Sequence, residues 1–137
     1  MDESRDGGCQ CGNVRYRISG AAIALAVCHC KECQRQSGSA FGMSMVIRRD
    51  DFELLEGELR EFSRSSDSGR LVRCAFCGNC GTRIYHEPTY AEGVLNVKPG
   101  TLDDTSFLDP TLHIWTSSKQ AWVEVPDQAR SFEQQPG

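Results

Sequence analysis

Hydrophobic and polar residues alternate along much of this chain, and the alternating stretches are short. In NVRYRIS, residues 13–19, the side chains of Val14, Tyr16 and Ile18 share one face, as in a strand that is buried on one side. GMSMVIR at residues 42–48 is similarly strand-like, and several short runs separated by turn residues follow it. No long amphipathic helix is visible. The pattern predicts a mainly β fold of short antiparallel strands with little helix.

Four further segments give specific expectations. AIALAV, residues 22–27, predicts a buried strand that delivers Cys28 at its end, and residues 31–36 predict a single helical turn. KQAWVEV, residues 119–125, predicts either a short helix or a last strand. The polar tail after about residue 127 is expected to fray.

Length and composition restrict the class of protein. The 137 residues predict one domain over residues 1–137. The start of the chain is acidic and does not resemble a signal peptide, and the longest apolar run, AAIALAV, is too short to cross a bilayer. We therefore expect a cytoplasmic protein without membrane contact. A formal net charge of −4, with scattered basic residues, argues against nucleic acid as a partner.

The distribution of cysteines indicates metal binding, because the eight cysteines fall into clusters. In a reducing compartment such clusters are more typical of metal sites than of disulfides. Cys9 and Cys11 form one pair flanked by glycines, and Cys77 and Cys80 form a C-x-x-C pair. Two such pairs complete a tetrahedral structural zinc site, so we predict that these four cysteines bind one zinc ion. The alternative is that they are ordinary buried thiols.

A second cluster, Cys28, Cys30 and Cys33, offers three thiolates within six residues. Three protein ligands and one open position are typical of catalytic zinc. Three thiolates on a divalent ion leave a net charge of −1, which favours activation of an exogenous thiol over hydrolysis. Cys74 or His29 could instead close the site as a fourth ligand. The other reading of Cys74 is a small core residue.

Taken together, these motifs resemble the glutathione-dependent formaldehyde-activating enzyme family. The matching segments are GGCQCGNVRY, CHCKECQRQSGSAFG, FCGNCGTRIY, VKPGTLDD and HIWTSSKQAW, in the expected order. The resemblance implies a zinc-containing β-tent fold and two zinc ions per chain, with Cys28, Cys30 and Cys33 on the catalytic ion. It also implies a carbon–sulfur lyase that joins formaldehyde to glutathione as S-(hydroxymethyl)glutathione. A cysteine at position 74 is a departure from the family pattern.

Other residues allow two readings each. Ser37, Gly38 and Phe41 either shape the mouth of the substrate site or form a simple turn with a core side chain. His113 and Trp115 either line the pocket or pack in the core. The cations Arg35, Arg48 and Lys119 either meet substrate carboxylates or lie in solvent. At the level of function, the alternative to an enzyme is a non-catalytic, zinc-stabilised module that binds a partner protein.

Overall fold

The computed structural model describes residues 4–65 and 69–135. Within these ranges the chain is mainly β, as predicted, with one α-helix, α1 (Lys31–Ser37), and three short 3-10 turns, Arg49–Asp51, Pro99–Thr101 and Thr116–Ser118. The strands are β1 (Ser4–Gly8), β2 (Arg15–Ser19), β3 (Ala24–Cys28), β4 (Gly42–Arg48), β5 (Phe52–Glu56), β6 (Leu59–Ser65), β7 (Leu71–Cys77), β8 (Arg83–Pro88), β9 (Val94–Val97), β10 (Leu112–Ile114) and β11 (Arg130–Ser131).

The strands form two sheets. A three-stranded sheet has the order β1-β2-β5, and an eight-stranded sheet has the order β11-β10-β3-β4-β9-β8-β7-β6. Most neighbours pair antiparallel, as predicted, but β10 runs parallel to both β3 and β11. The tail that was expected to fray therefore contributes a strand at Arg130–Ser131, and its last two residues lie outside the described ranges.

The main hydrophobic core lies between the two sheets. Tyr16 and Ile18 of β2 contribute from the small sheet, and Tyr16 stacks on Phe52 with ring centroids 5.2 Å apart. The buried members are Val14, Tyr16, Ile18, Met45, Ile47, Cys77, Ile84, Leu95, Val97 and Leu102. Cys77 is a member of this core, and Cys9 and Cys80 pack against it. The cluster of Cys9, Cys11, Cys77 and Cys80 therefore borders the core between the two sheets.

Strand β1 was not predicted, because its sequence SRDGG has no apolar alternation. It forms because all five of its residues pair with β2, and Arg17 of β2 donates to Asp6 at 2.8 Å. Its glycines permit close approach: a Cβ atom on Gly7 would lie 2.5 Å from the Tyr16 hydroxyl and 2.6 Å from the Thr101 carbonyl oxygen. Tertiary contact therefore imposes strand structure on a segment of low strand propensity.

Alternation along the central strands separates the core from a cleft on the opposite face of the large sheet. In β9, Leu95 and Val97 enter the core, whereas Asn96 and the following Lys98 line the cleft. In β4, Met45 and Ile47 enter the core, and Ser44 and Val46 line the cleft.

Two other features complete the fold. The prediction of a helix or a strand in KQAWVEV is wrong, since residues 119–125 form neither and Trp122 sits in an exposed turn. In the described part of the chain no helix is long and apolar enough to span a membrane.

Candidate metal centres and the adjoining cleft

The first cysteine cluster joins two turns that are far apart in sequence. The Sγ atoms of Cys9, Cys11, Cys77 and Cys80 all lie within 4.8 Å of one another. Cys11 Sγ lies 3.8 Å from Cys77 Sγ across 66 residues of chain. One turn follows β1 and the other connects β7 to β8, so the cluster ties the small sheet to the large one.

Backbone N–H groups point at these sulfur atoms from both turns. The amide of Val14 donates to Cys9 Sγ at 3.2 Å, and the amide of Asn79 donates to Cys77 Sγ at 3.3 Å. The side chain of Asn79 also donates to Cys11 Sγ at 3.2 Å. Donors aimed at sulfur stabilise the thiolate form, which is the form that binds a metal ion. Gly81, at φ 83°, adopts the left-handed conformation that the second turn requires.

The second cluster comes from one short segment. Cys28 ends β3, Cys30 caps the N-terminus of α1, and Cys33 lies in its first turn with its amide 3.3 Å from Cys30 Sγ. The three Sγ atoms lie within 4.8 Å of one another, and all three side chains are almost buried. Gly42 of β4 packs against this turn, where a Cβ atom would lie 3.1 Å from that of Cys33.

Hydrogen bonds fix the three-cysteine segment to the C-terminal part of the chain. The amide of His29 donates to the Ile114 carbonyl at 3.0 Å, and the buried His29 ring lies 3.0 Å, Nε2 to Nδ1, from the ring of His113. Gln34 donates to the carbonyls of His29 and Ser118 at 2.8 and 3.0 Å. His29 therefore connects the three-cysteine segment to β10 and to α1 through hydrogen bonds.

Both donor sets fit zinc, because sets of three or four converging thiols are its usual soft ligands. Within the second cluster the protons are shared unequally. The pKa of Cys30 is far below that of a free thiol, because Cys28 and Cys33 both hydrogen-bond to it. The pKa of Cys28 is raised by the corresponding hydrogen bonds with Cys30 and Cys33 and by burial. Without a cation, the cluster holds far less than three negative charges.

Cys74 belongs to neither cluster. It is fully buried in the middle of β7, where it pairs with Phe62 of β6 and His86 of β8. Among the described residues the second group contains three cysteines and no fourth ligand, so the geometry favours the core reading of Cys74 and of His29.

The second cluster opens onto a cleft of about 590 Å³, a volume typical of sites for small molecules. Its walls combine apolar and charged side chains. They comprise Ala26, Cys28, Cys30, Glu32, Cys33, Ser44, Val46, Arg64, Arg70, Val72, His86, Pro88, Tyr90, Ala91, Val94, Asn96, Lys98, Leu112, Ile114, Trp115 and Gln135.

Of the two readings of the cations Arg35, Arg48 and Lys119, the structure favours the one in which none of them meets a substrate in the cleft. Arg35 and Arg48 are exposed outside it, and Lys119 donates to the carbonyls of Gln120 and Val123. The cleft cations are Arg64, Arg70 and Lys98. The cleft-facing position of Lys98 could have been predicted from the sequence. Lys98 directly follows the alternating strand VLNV, and it has the same spacing along the chain as Val94 and Asn96, which face the cleft.

Lys98 is the most buried of these cations. It is 9% exposed, and its Nζ donates to the Met43 carbonyl at 3.1 Å. Burial lowers its pKa, while the negative forms of Cys33 and Cys28 oppose that shift. Lys98 and the three cysteines also line the same cleft. His86 also faces the cleft, and burial next to Lys98 and Arg83 lowers its pKa to about 2, so it is neutral at physiological pH.

Of the candidate pocket residues, Trp115 lines the cleft and packs against the three cysteines. His113 lies within β10, two residues before Trp115, and does not line the cleft. Its ring instead stacks on that of His29, with ring centroids 5.2 Å apart. Ser37 donates to the Cys33 carbonyl at 2.7 Å, and Gly38 at φ 61° ends α1, so both form the turn that closes the helix. Phe41 packs edge-on against His29.

Two comparisons with known proteins agree with this architecture. A family model described as "Glutathione-dependent formaldehyde-activating enzyme" matches residues 4–118. The crystal structure of a Rhodobacter sphaeroides protein, a Northeast Structural Genomics target, superposes with a TM-score of 0.58 at 19% identity, covering 77% of this chain and 91% of that chain. At this identity the structural likeness shows a common fold alone.

Proposed function

Since the chain belongs to the glutathione-dependent formaldehyde-activating enzyme family, we propose that it joins glutathione, or a similar small thiol, to formaldehyde or a related aldehyde. The thiolate sulfur attacks the carbonyl carbon, the π electrons of the C=O bond move to oxygen, and the oxygen takes a proton from water. With formaldehyde and glutathione the product is S-(hydroxymethyl)glutathione, and the reverse reaction is that of a carbon–sulfur lyase. The observation that carries the proposal is that three cysteine thiols open together onto the charged cleft.

We assign Cys28, Cys30 and Cys33 to a catalytic zinc, and Cys9, Cys11, Cys77 and Cys80 to a structural zinc. When bound, the catalytic zinc would keep the substrate sulfur deprotonated at neutral pH. Three thiolate ligands leave a divalent ion with a net charge of −1, which suits this role better than the polarisation of water for hydrolysis. The structural zinc would contribute folding free energy through the contact between the two turns.

Charges on the cleft walls match a zwitterionic peptide thiol. Glutathione carries two carboxylates and one ammonium group, and the cleft presents Arg64 and Arg70 together with Glu32. The Nε atom of Arg64 is buried without a hydrogen-bond partner among the described residues, so it is available to a ligand carboxylate. Glu32 belongs to the turn that carries Cys30 and Cys33, where it could accept the ammonium group.

Lys98 is the group best placed to stabilise the oxygen of the aldehyde. An ammonium has three donors, and among the described residues the Nζ atom of Lys98 donates to the Met43 carbonyl. Two N–H groups are therefore available to an oxygen that gains negative charge next to the cysteine cluster. A fixed donor of this kind stabilises the developing alkoxide more than the neutral aldehyde. Lys98 also offsets the negative charge of the cluster.

The proposal is tested by titrating cobalt-reconstituted protein with glutathione and by measuring the exchange of ¹³C-formaldehyde with S-(hydroxymethyl)glutathione. We expect a new thiolate-to-cobalt charge-transfer band on addition of glutathione, and an exchange rate above that of the uncatalysed reaction. Cys30→Ser should lose both responses and keep its fold, because the first cluster supports the packing between the sheets.

The matched control is Cys74→Ser, which alters a buried thiol outside both clusters and should keep both responses. No new band with glutathione or other small thiols, and no acceleration of exchange, would contradict the proposed function. The non-catalytic module that binds a partner protein would then be the better interpretation.

A further inference from the structure

Trp115 has a backbone conformation that bulky residues rarely adopt. Its φ and ψ are 58° and 40°, in the left-handed region, and among the described residues it is the one non-glycine residue with positive φ. In this region the Cβ atom of an L-residue crowds the backbone, so glycine is strongly preferred over a large aromatic residue. The local conformation therefore does not favour tryptophan at this position.

The C-terminal segment holds this conformation in place. The amides of Trp115 and Thr116 donate to the carbonyls of Gln134 and Phe132 at 3.3 and 3.1 Å, and the amide of Ser117 donates to the carbonyl of Glu133 at 3.2 Å. These three consecutive bonds use main-chain atoms only, so they do not depend on the side chain at position 115 and would form with any residue except proline. The backbone geometry thus does not explain the choice of an indole.

What the strained backbone provides is the position of the side chain. The indole is half-buried, packs against Cys28, Cys30 and Cys33, and forms part of the cleft wall next to them. Its Nε1 atom donates to the Gln135 side chain at 3.4 Å. A locally unfavourable residue whose side chain borders reactive groups is expected where shape at the site matters more than stability.

We propose that Trp115 determines which thiols the cleft accepts, by packing against the part of the substrate that lies beyond the sulfur atom. This inference rests on the proposed function, because it needs a thiol to bind at the three cysteines. A rigid indole next to the sulfur position gives a peptide thiol an apolar surface that a two-carbon thiol is too short to cover. Its contribution is therefore to selectivity and not to sulfur binding itself.

The test compares Trp115→Gly, Trp115→Ala and Trp115→Phe with Trp122→Ala, which removes an exposed indole outside the cleft. Glutathione and 2-mercaptoethanol are titrated into each cobalt-reconstituted variant, and thermal midpoints are measured without thiol. We expect the glycine and alanine variants to lose at least about tenfold in glutathione affinity and less than about twofold in 2-mercaptoethanol affinity. Phenylalanine should restore most of the selectivity, and the Trp122 variant should match the wild type.

Stability provides a second, metal-independent readout, because the glycine and alanine variants lose the same indole and differ only in backbone preference. The glycine variant should melt a few degrees above the alanine variant. An equal loss of affinity for both thiols, unchanged selectivity, or a glycine variant that is no more stable than the alanine variant or fails to fold would each overturn the inference. A wild-type protein that binds neither thiol would instead contradict the proposed function itself, and this inference with it.

Discussion

The two cysteine clusters are built in opposite ways. Four cysteines of the first cluster come from two turns separated by 66 residues, and Cys77 is part of the core between the sheets. Three cysteines of the second come from a single segment that connects β3 to α1, on the cleft side of the large sheet. In the folded chain the first cluster therefore depends on a long-range contact between two turns, whereas the second depends on one local segment.

This difference separates stability from reactivity. A metal bound across a long loop opposes unfolding, because it restrains parts of the chain that are otherwise free to separate. A metal bound to one local turn adds little to long-range restraint, and its surroundings are available for chemistry. The charged groups differ in the same way, since Lys98 lines the cleft beside the second cluster, whereas the neutral side chain of Asn79 donates to the first.

The largest expected effect is loss of the first cluster. Cys77→Ser removes one of the four thiols of the first cluster at a position 1% exposed. Because structural zinc sites contribute on the order of 10 kcal/mol to folding, we expect insoluble protein or destabilisation well above about 3 kcal/mol, measured by thermal melting and zinc analysis.

Strand β7 supplies the matched control for this variant. Cys74→Ser makes the same substitution three residues earlier on the same strand, at an equally buried position outside both clusters. It should keep both metal equivalents and lose only the smaller free energy of placing a hydroxyl in the core, about 1–3 kcal/mol. If both variants behave alike, Cys77 is an ordinary core thiol and the comparison between the clusters fails.

A smaller effect should distinguish the chemistry of the second cluster from its ability to bind a thiol. Lys98→Met keeps an unbranched side chain that is one atom shorter and removes its charge. We expect glutathione binding to change little and kcat for formaldehyde exchange to fall about a hundredfold, as when a donor to a developing oxyanion is removed. Steady-state kinetics and the cobalt titration measure the two quantities separately.

Lys119→Met is the control, because Lys119 lies outside the cleft and bonds to two carbonyls of its own loop. It should leave kcat unchanged. A Lys98 variant that retains wild-type kcat would show that the buried ammonium is not needed for the reaction, and parallel losses in both lysine variants would indicate a general effect on folding.

Features that depend on residues close together in the sequence were predictable from it. Local alternation predicted β4 at its observed bounds, Gly42–Arg48, and the spacing of Cys28, Cys30 and Cys33 predicted their convergence, which the structure confirms. Even the long-range grouping of Cys9 with Cys77 was predictable, because two glycine-flanked pairs complement each other chemically.

Features that depend on tertiary pairing were not predictable from local pattern. The polar strand β1 forms only against β2, and the parallel pairing of β10 with β3 depends on the whole path between them. The cleft cations Arg64 and Arg70 come together with the cysteines through the order of the large sheet. Arg35 allowed two readings because it is close to the cysteines in sequence, and its exposed position on α1 agrees with the solvent reading.

The smallest expected effect concerns the cysteine that neither cluster uses. Cys74 is fully buried between Phe62 and His86 on the neighbouring strands, and its thiol lies outside the four- and three-thiol groups. Cys74→Ala removes one sulfur atom and leaves no unpaired polar group, so it should cost about 1 kcal/mol, as small core truncations do. Metal analysis should still find two equivalents per chain, and the glutathione titration should match the wild type. Loss of one equivalent would mean that Cys74 moves in to complete the second site, so that both clusters are closed and the contrast between a structural and a reactive centre disappears.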